Sequence, residues 1–350
     1  MPARLCASVT ATAALALAAA QLCVWLDTPL PWMIGPLFAT AAACMFGVPL
    51  RAPIQVRLAG QWAIGTALGL YFTAPVMGAL VSYAGSILLA VLCALALGAA
   101  GAALLQRLSG ADRATCFFSM AVGGASEMAT QGERHGGAVD RVAAAHSLRI
   151  MLVVGTIPFA IRWWGAHGLD AGHDLFVPGA AAVNYGPLLL LVLLTCLGAA
   201  VVRRLDVPNA WVIGPLLVAI VLTASGVHLS RLPEWMINAG QLFIGVSLGT
   251  RFTPAFVHTA PRFLASCAVC SLAMMALAAA FGLTLAAFGG IHPGTAILAT
   301  SPGGIAEMSL TARVLHLGVP IVTAFHVTRM VAVVLLIGPL FRLWRRQTAP

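Results

Sequence analysis

The feature that most limits what this chain can fold into is a duplication. Displaced by 179 or 180 residues, the sequence superimposes on itself along most of its length, and such self-similarity constrains a fold more than any local propensity does. Leu26-Asp27-Thr28-Pro29 matches Leu205-Asp206-Val207-Pro208, and Trp32-Met33-Ile34-Gly35-Pro36-Leu37 matches Trp211-Val212-Ile213-Gly214-Pro215-Leu216. Ala59-Gly60-Gln61 matches Ala239-Gly240-Gln241, and Phe72-Thr73 matches Phe252-Thr253. The register continues through Gly123-Gly124-Ala125-Ser126-Glu127-Met128 against Gly303-Gly304-Ile305-Ala306-Glu307-Met308, and through His146-x-x-Arg149 against His326-x-x-Arg329.

Composition says where such a chain lives. Hydrophobic residues make up 61% of it and charged residues 8%, against about 25% charged in an ordinary soluble domain. Stretches such as Leu5 to Leu26 and Pro261 to Phe288 match the roughly 20 apolar residues that span a bilayer. The expected fold class is an all-α polytopic membrane protein. Arg4 followed by an apolar run also resembles a signal peptide, but that run matches residues 184 to 205 in mid-chain, so it reads as a retained first helix.

Each half reads as five long spans plus one interrupted segment. The spans are expected at 5 to 26, 33 to 49, 58 to 77, 79 to 106 and 141 to 163, and at 184 to 202, 211 to 228, 234 to 256, 262 to 288 and 319 to 343. Segments 114 to 131 and 294 to 312 are broken by Gly-Gly ahead of a Glu. If each broken segment re-enters on its own side, 14 of the 19 Arg lie inside, 3 lie outside (Arg162, Arg231, Arg313) and 2 lie within the membrane. Full crossing of the broken segments gives 10 inside against 7 outside, so the positive-inside rule favours ten crossings, with both termini cytoplasmic. Five crossings per half turn the second copy upside down, giving two inverted five-helix repeats, a plan common among secondary transporters. The division is then 1–170 for the first repeat, 171–183 for an extracytoplasmic connection and 184–350 for the second repeat.

The chemistry available is sparse and itself duplicated. A carboxylic acid at the centre of a membrane helix costs about 2.5 to 3.5 kcal/mol on insertion scales, so Glu127 and Glu307 should face protein or water. The glycines before them, Gly123, Gly124, Gly303 and Gly304, allow the backbone to unwind, which is tolerable at membrane depth only against protein or a cavity. His146 and Arg149 share a helix face, as do His326 and Arg329. Arg can hold an anion bidentately or clamp the Glu, and His can carry a proton. Those residues, with Ser126, form the candidate substrate or ion site; the alternative is a static clasp between each Glu and the Arg of a neighbouring helix.

Other chemistry finds no support. The eight Cys lie in or beside apolar runs and read as small packing residues, including the C-x-x-C of Cys267 and Cys270. No metal spacing, P-loop, nucleophile elbow or dinucleotide fingerprint occurs. The expectation is a protein with no enzymatic activity, no cofactor and no direct contact with nucleic acid, whose partners are a small molecule or ion, membrane lipid and a second copy in a homo-oligomer.

The repeated W-[MV]-I-G-P-L, G-G-x-x-E-M and H-x-x-R, about 180 residues apart in a chain of 350, resemble the AbrB family of bacterial inner-membrane proteins with a duplicated AbrB domain. That family carries the labels "ammonia monooxygenase" and "regulator". The resemblance implies an inner-membrane location. An oxygenase would need a metal or flavin site and a DNA regulator a water-facing reading element, and the sequence offers neither. Two functions are therefore expected as alternatives: a secondary transporter moving a small, anionic metabolite with H⁺ or Na⁺, or a membrane-embedded sensor that affects gene expression through a partner.

Overall fold

A computed structural model describes residues 2–165, 182–254 and 260–347. Of the connection expected at 171–183, all but residues 182 and 183 lies outside the described residues. The described chain is helical, without a β-strand among the described residues. The helices are α1 (Pro2–Trp25), α2 (Pro31–Met45), α3 (Ile54–Gly69), α4 (Ala74–Ser82), α5 (Ala84–Ser109), α6 (Arg113–Met120), α7 (Ala125–Arg134) and α8 (Val139–Trp164). After the connection come α9 (Tyr185–Arg204), α10 (Ala210–Ala224), α11 (Glu234–Gly249), α12 (Pro261–Gly289), α13 (Pro293–Thr300), α14 (Ile305–Val314) and α15 (Val319–Gln347).

Among the described residues, six helices are long and apolar enough to cross a membrane: α1, α5, α8, α9, α12 and α15. Helices α2 and α10 are apolar but have 15 residues each, about 23 Å at 1.5 Å per residue. The continuous span expected over 58 to 77 is corrected: α3 and α4 meet at an angle of 86°. The cause is local. Leu70 to Thr73 form a turn, and Pro75 sits in the first turn of α4, where its missing N–H is harmless but where it cannot continue the helix before it. Helix α2 likewise stops at Met45, short of residue 49, because Gly47 adopts a left-handed conformation (φ 84°).

Two compact units are present, and each takes matching elements from both sequence repeats. One comprises residues 1–82, 161–255 and 309–320; the other comprises 83–160, 256–308 and 321–350.

In the first unit α2 packs on α11 and α10 packs on α3, while α1 packs on α2 and α9 on α10. Small residues set these contacts, as they do where lipid removes the hydrophobic drive between helices. A Cβ placed on Gly65 would stand 2.4 Å from the Val212 carbonyl oxygen, and one on Gly245 would stand 2.5 Å from the Met33 carbonyl oxygen. The left-handed turns ahead of α2 and α10 match too, with Asp27 and Leu30 at φ 49° and 52° and Asp206 and Asn209 at φ 52° and 53°. On the surface, Arg162 pairs with Asp27, and Arg313 pairs with Glu234.

In the second unit α5 packs on α6 and α12, and α6 packs on α7 and α12. Phe118, Met120, Met128, Val142, Cys267, Cys270, Met274, Val333 and Phe341 are buried around α6. The C-x-x-C of Cys267 and Cys270 is thus part of a hydrophobic core. The first broken segment, α6 and α7, lies in this unit, and so does the second as far as Met308.

Candidate functional site

Breaking a helix inside an apolar body leaves orphan groups. The last carbonyls of the first piece and the first N–H groups of the second lose their helical partners, and each unsatisfied group in a lipid environment costs several kcal/mol. The duplicated motifs answer both problems.

Helix α6 begins with Asp112, which accepts from the Thr115 N–H at 2.8 Å, a conventional N-cap. Helix α13 begins with His292, 180 residues later, whose Nδ1 accepts from the Gly294 N–H at 3.2 Å. At the other end of α6, the His146 ring lies with Nε2 2.9 Å from the Phe118 carbonyl oxygen. Arg149 Nη1 donates to the Ala121 carbonyl at 3.0 Å and more weakly to that of Met120 at 3.4 Å. In the second copy His326 Nε2 meets the Leu298 carbonyl at 2.9 Å, Arg329 Nη1 donates to the Ser301 carbonyl at 2.6 Å, and Arg329 Nη2 donates to that of Gly303. These four side chains are buried. Each positive guanidinium therefore sits at the negative end of an interrupted helix, where the macrodipole favours it.

The ring tautomer follows. Arg Nη2 approaches His Nδ1 at 2.9 Å in the first copy and 2.8 Å in the second. An Arg can only donate, so Nδ1 accepts, Nε2 carries the hydrogen, and the Nε2–H donates to the carbonyl. Both ring nitrogens of His146 and His326 are engaged in this arrangement, and each ring orients the Arg beside it.

Past each break the second helix starts at the Gly-Gly pair. Met128 folds onto Gly123 and Met308 onto Gly303, so closely that a Cβ there would stand 2.9 and 2.6 Å from their side chains. Glu127 and Glu307 lie in the first turns of α7 and α14, where a carboxylate complements exposed N–H groups. Neither Arg149 nor Arg329 has a carboxylate among its partners in the described residues, so the Glu–Arg clasp does not form there; carbonyl oxygens take its place. Both H-x-x-R motifs lie in the second unit, His146 and Arg149 on α8 and His326 and Arg329 on α15.

Ser126 is exposed beside the first break, and Glu127 is half-buried. Sequence reasoning missed the partners that matter most, the carbonyl groups of Phe118, Ala121, Leu298 and Ser301. A signal existed: each lies 28 residues before the His or Arg that binds it. It also missed Ser119 on α6 and Ser271 on α12, whose hydroxyls are buried without a partner among the described residues. No group of three or more His, Cys, Asp and Glu suited to a metal ion occurs among the described residues.

Known proteins are similar to this chain over most of its length. The chain is 27% identical to "Putative regulator AbrB" of Escherichia coli (strain K12), over 89% of this chain and 88% of that protein. It is 26% identical to "Uncharacterized protein YhjN" of Bacillus subtilis (strain 168), over 89% of this chain and 86% of that one. The family model described as "Transition state regulatory protein AbrB" matches residues 32–345, a range that takes in both broken helices and both of their His-Arg caps, and the chain belongs to that family.

Proposed function

We propose that this protein is a secondary transporter of the bacterial inner membrane, moving a small metabolite in exchange or symport with H⁺ or Na⁺. Ten crossings are assigned to α1, α2, the bent pair α3 and α4, α5, α8, α9, α10, α11, α12 and α15, with α6–α7 and α13–α14 as re-entrant segments. The observation that carries the reading is the pair of interrupted helices, each with a buried Arg fixed at its break. A structural helix in a membrane has no reason to break and then recruit a charged side chain to repair the break. Discontinuous helices at the midplane are the usual means by which transporters present backbone groups to a solute. The arginines enter as fixed positive charges, and with the first-turn N–H groups of α7 and α14 they favour an anion.

The regulatory reading rests on a printed name, that of the Escherichia coli relative. The two are separated by purified protein. Mono-, di- and tricarboxylates and phosphate esters are screened by thermal shift, because a ligand that binds only the folded state raises its melting temperature. A stabilising compound is then offered to proteoliposomes under an imposed H⁺ or Na⁺ gradient. Gradient-driven uptake is the expected result. Absence of both stabilisation and uptake, together with a reproducible crosslinked partner in cells, would replace transport with regulation.

A further inference from the structure

A cavity of about 140 Å³ lies among α5, α6 and α15 of the second unit. Only Ala, Gly, Val, Leu, Ile, Phe and Trp line it. Its floor is buried and includes Ala94 and Gly98 of α5, Phe117 of α6 and Ala121 at the first break. Its rim is open: Leu343 of α15 is 53% exposed, and Trp344 beside it is half-buried. An apolar cavity of about 150 Å³ takes a benzene-sized guest, whereas sites for whole small molecules start at about 300 Å³ and carry polar groups. The space therefore suits one end of an apolar chain and offers nothing to a polar metabolite.

One end of the cavity is ringed by positive charge. The Trp344 ring packs on Phe117, with centroids 5.3 Å apart, so the end of α15 meets α6 about one turn from Arg113, its first residue. The short link from Ser109 to Arg113 brings the last turn of α5, with Arg107, to the same end. On α15, Arg342 is exposed next to Leu343, and Arg345 and Arg346 follow in the sequence. None of the three helices contains an Asp or Glu. Asp112, the cap of α6, accepts from the Thr115 N–H. Arg107, Arg113 and Arg342 form no ion pair among the described residues.

We infer that this cavity is a lipid site: it holds the end of one acyl chain of an anionic phospholipid, and the arginines at its mouth hold the headgroup phosphate. An apolar slot with an aromatic rim under a basic cluster fits a molecule that joins a hydrocarbon chain to a negative headgroup. A soluble anion would leave the slot empty, a neutral apolar molecule would leave the arginines unmatched, and a second copy of this chain would bring like charge to them. The inference stands apart from the transport reading and does not need the substrate.

The full-length protein is reconstituted into phosphatidylcholine bilayers with a trace of phosphatidylglycerol or phosphatidylcholine bearing a photoreactive diazirine at the chain end. After irradiation the labelled peptides are read by mass spectrometry. Leu189, Leu193 and Leu197 of α9 are exposed and calibrate labelling by bulk lipid. Helix α6 is buried from Ala114 to Met120, so bulk lipid does not reach it. Phosphatidylglycerol should label α6 at least about fivefold more than phosphatidylcholine does, the factor that one arginine near an anionic headgroup supplies. Arg342→Gln should reduce that preference, whereas Arg204→Gln, at the end of α9, should leave it. Ala99→Phe places a ring in the slot and should abolish labelling of α6 while that of α9 persists; if this variant does not fold, the Arg342→Gln comparison decides. Equal labelling of α6 by both lipids, no labelling of α6 beside normal labelling of α9, or equal losses in Arg204→Gln and Arg342→Gln would each overturn the site. Competition by excess soluble glycerol phosphate would replace it with a site for free anions.

Discussion

Arg329 Nη2 donates to His326 Nδ1 at 2.8 Å, and the same guanidinium holds the carbonyl oxygens of Ser301 and Gly303. One side chain thereby closes the end of α13 and fixes its own orienting ring. The first copy repeats the arrangement with Arg149, His146 and the carbonyls of Met120 and Ala121. The H-x-x-R motif is thus a device for ending a helix where water cannot.

Removing the guanidinium should be costly. Arg149→Met or Arg329→Met strands buried carbonyls and the His Nδ1, and should destabilise the protein by about 2 to 5 kcal/mol. Arg→Lys keeps the charge but loses the planar fork, and its loss should be intermediate. Thermal unfolding in detergent measures both. An Arg149→Met protein that melted like the unaltered one would show that the carbonyls need no such partner.

The histidines separate orientation from proton transfer. His146→Gln retains one donor for the Phe118 carbonyl and one acceptor for Arg149, so it should cost under about 1 kcal/mol, whereas His146→Ala should cost about 1 to 3 kcal/mol. Gradient-driven flux should survive in the folded Gln variant. Loss of flux with folding intact would return the ring to a proton-carrying role.

How far the sequence could be read depended on which atoms do the work. The duplication, the Gly-Gly breaks and the polar stripes were visible because side chains make them. The partners of the stripes were not, since a backbone carbonyl is chemically the same at Phe118 as anywhere else. The deeper burial of Glu307 than of Glu127 was hidden behind identical motifs; beside them Ala306 and Leu310 are buried where Ser126 and Thr130 are exposed. The bend at 70 to 73 was hidden by apolar composition on both sides of it, although Pro75 marked the place.

Close helix contacts in the first unit make a second kind of stability prediction. Gly65→Ala and Gly245→Ala force a methyl group against a neighbouring carbonyl and should each cost about 1 to 3 kcal/mol by overpacking. Gly78, inside α4, has open space where its Cβ would be, so Gly78→Ala should be neutral or stabilising by up to about 1 kcal/mol. The three variants compared by thermal unfolding test the packing directly, and equal melting temperatures would refute it.

Membrane orientation can be tested against contacts as well as charge. With ten crossings and both termini cytoplasmic, Trp25, Trp163, Trp164 and Trp235 all fall on the extracytoplasmic side, and all four are exposed, as interfacial Trp should be. Pairs joined across long sequence separations also fall on one side each: Arg162 with Asp27 and Arg313 with Glu234 outside, Arg262 with the Leu108 carbonyl and Ser8 with the Pro49 carbonyl inside. On a background lacking the native cysteines, Gly172→Cys should react with an impermeant maleimide only from the periplasmic side, and Val207→Cys only from the cytoplasm. Six crossings per half would put the Gly172 connection in the cytoplasm and leave the Arg distribution at 10 against 7. Cytoplasmic reaction of Gly172→Cys would therefore exclude the inverted repeat, and the re-entrant placement of both broken helices with it.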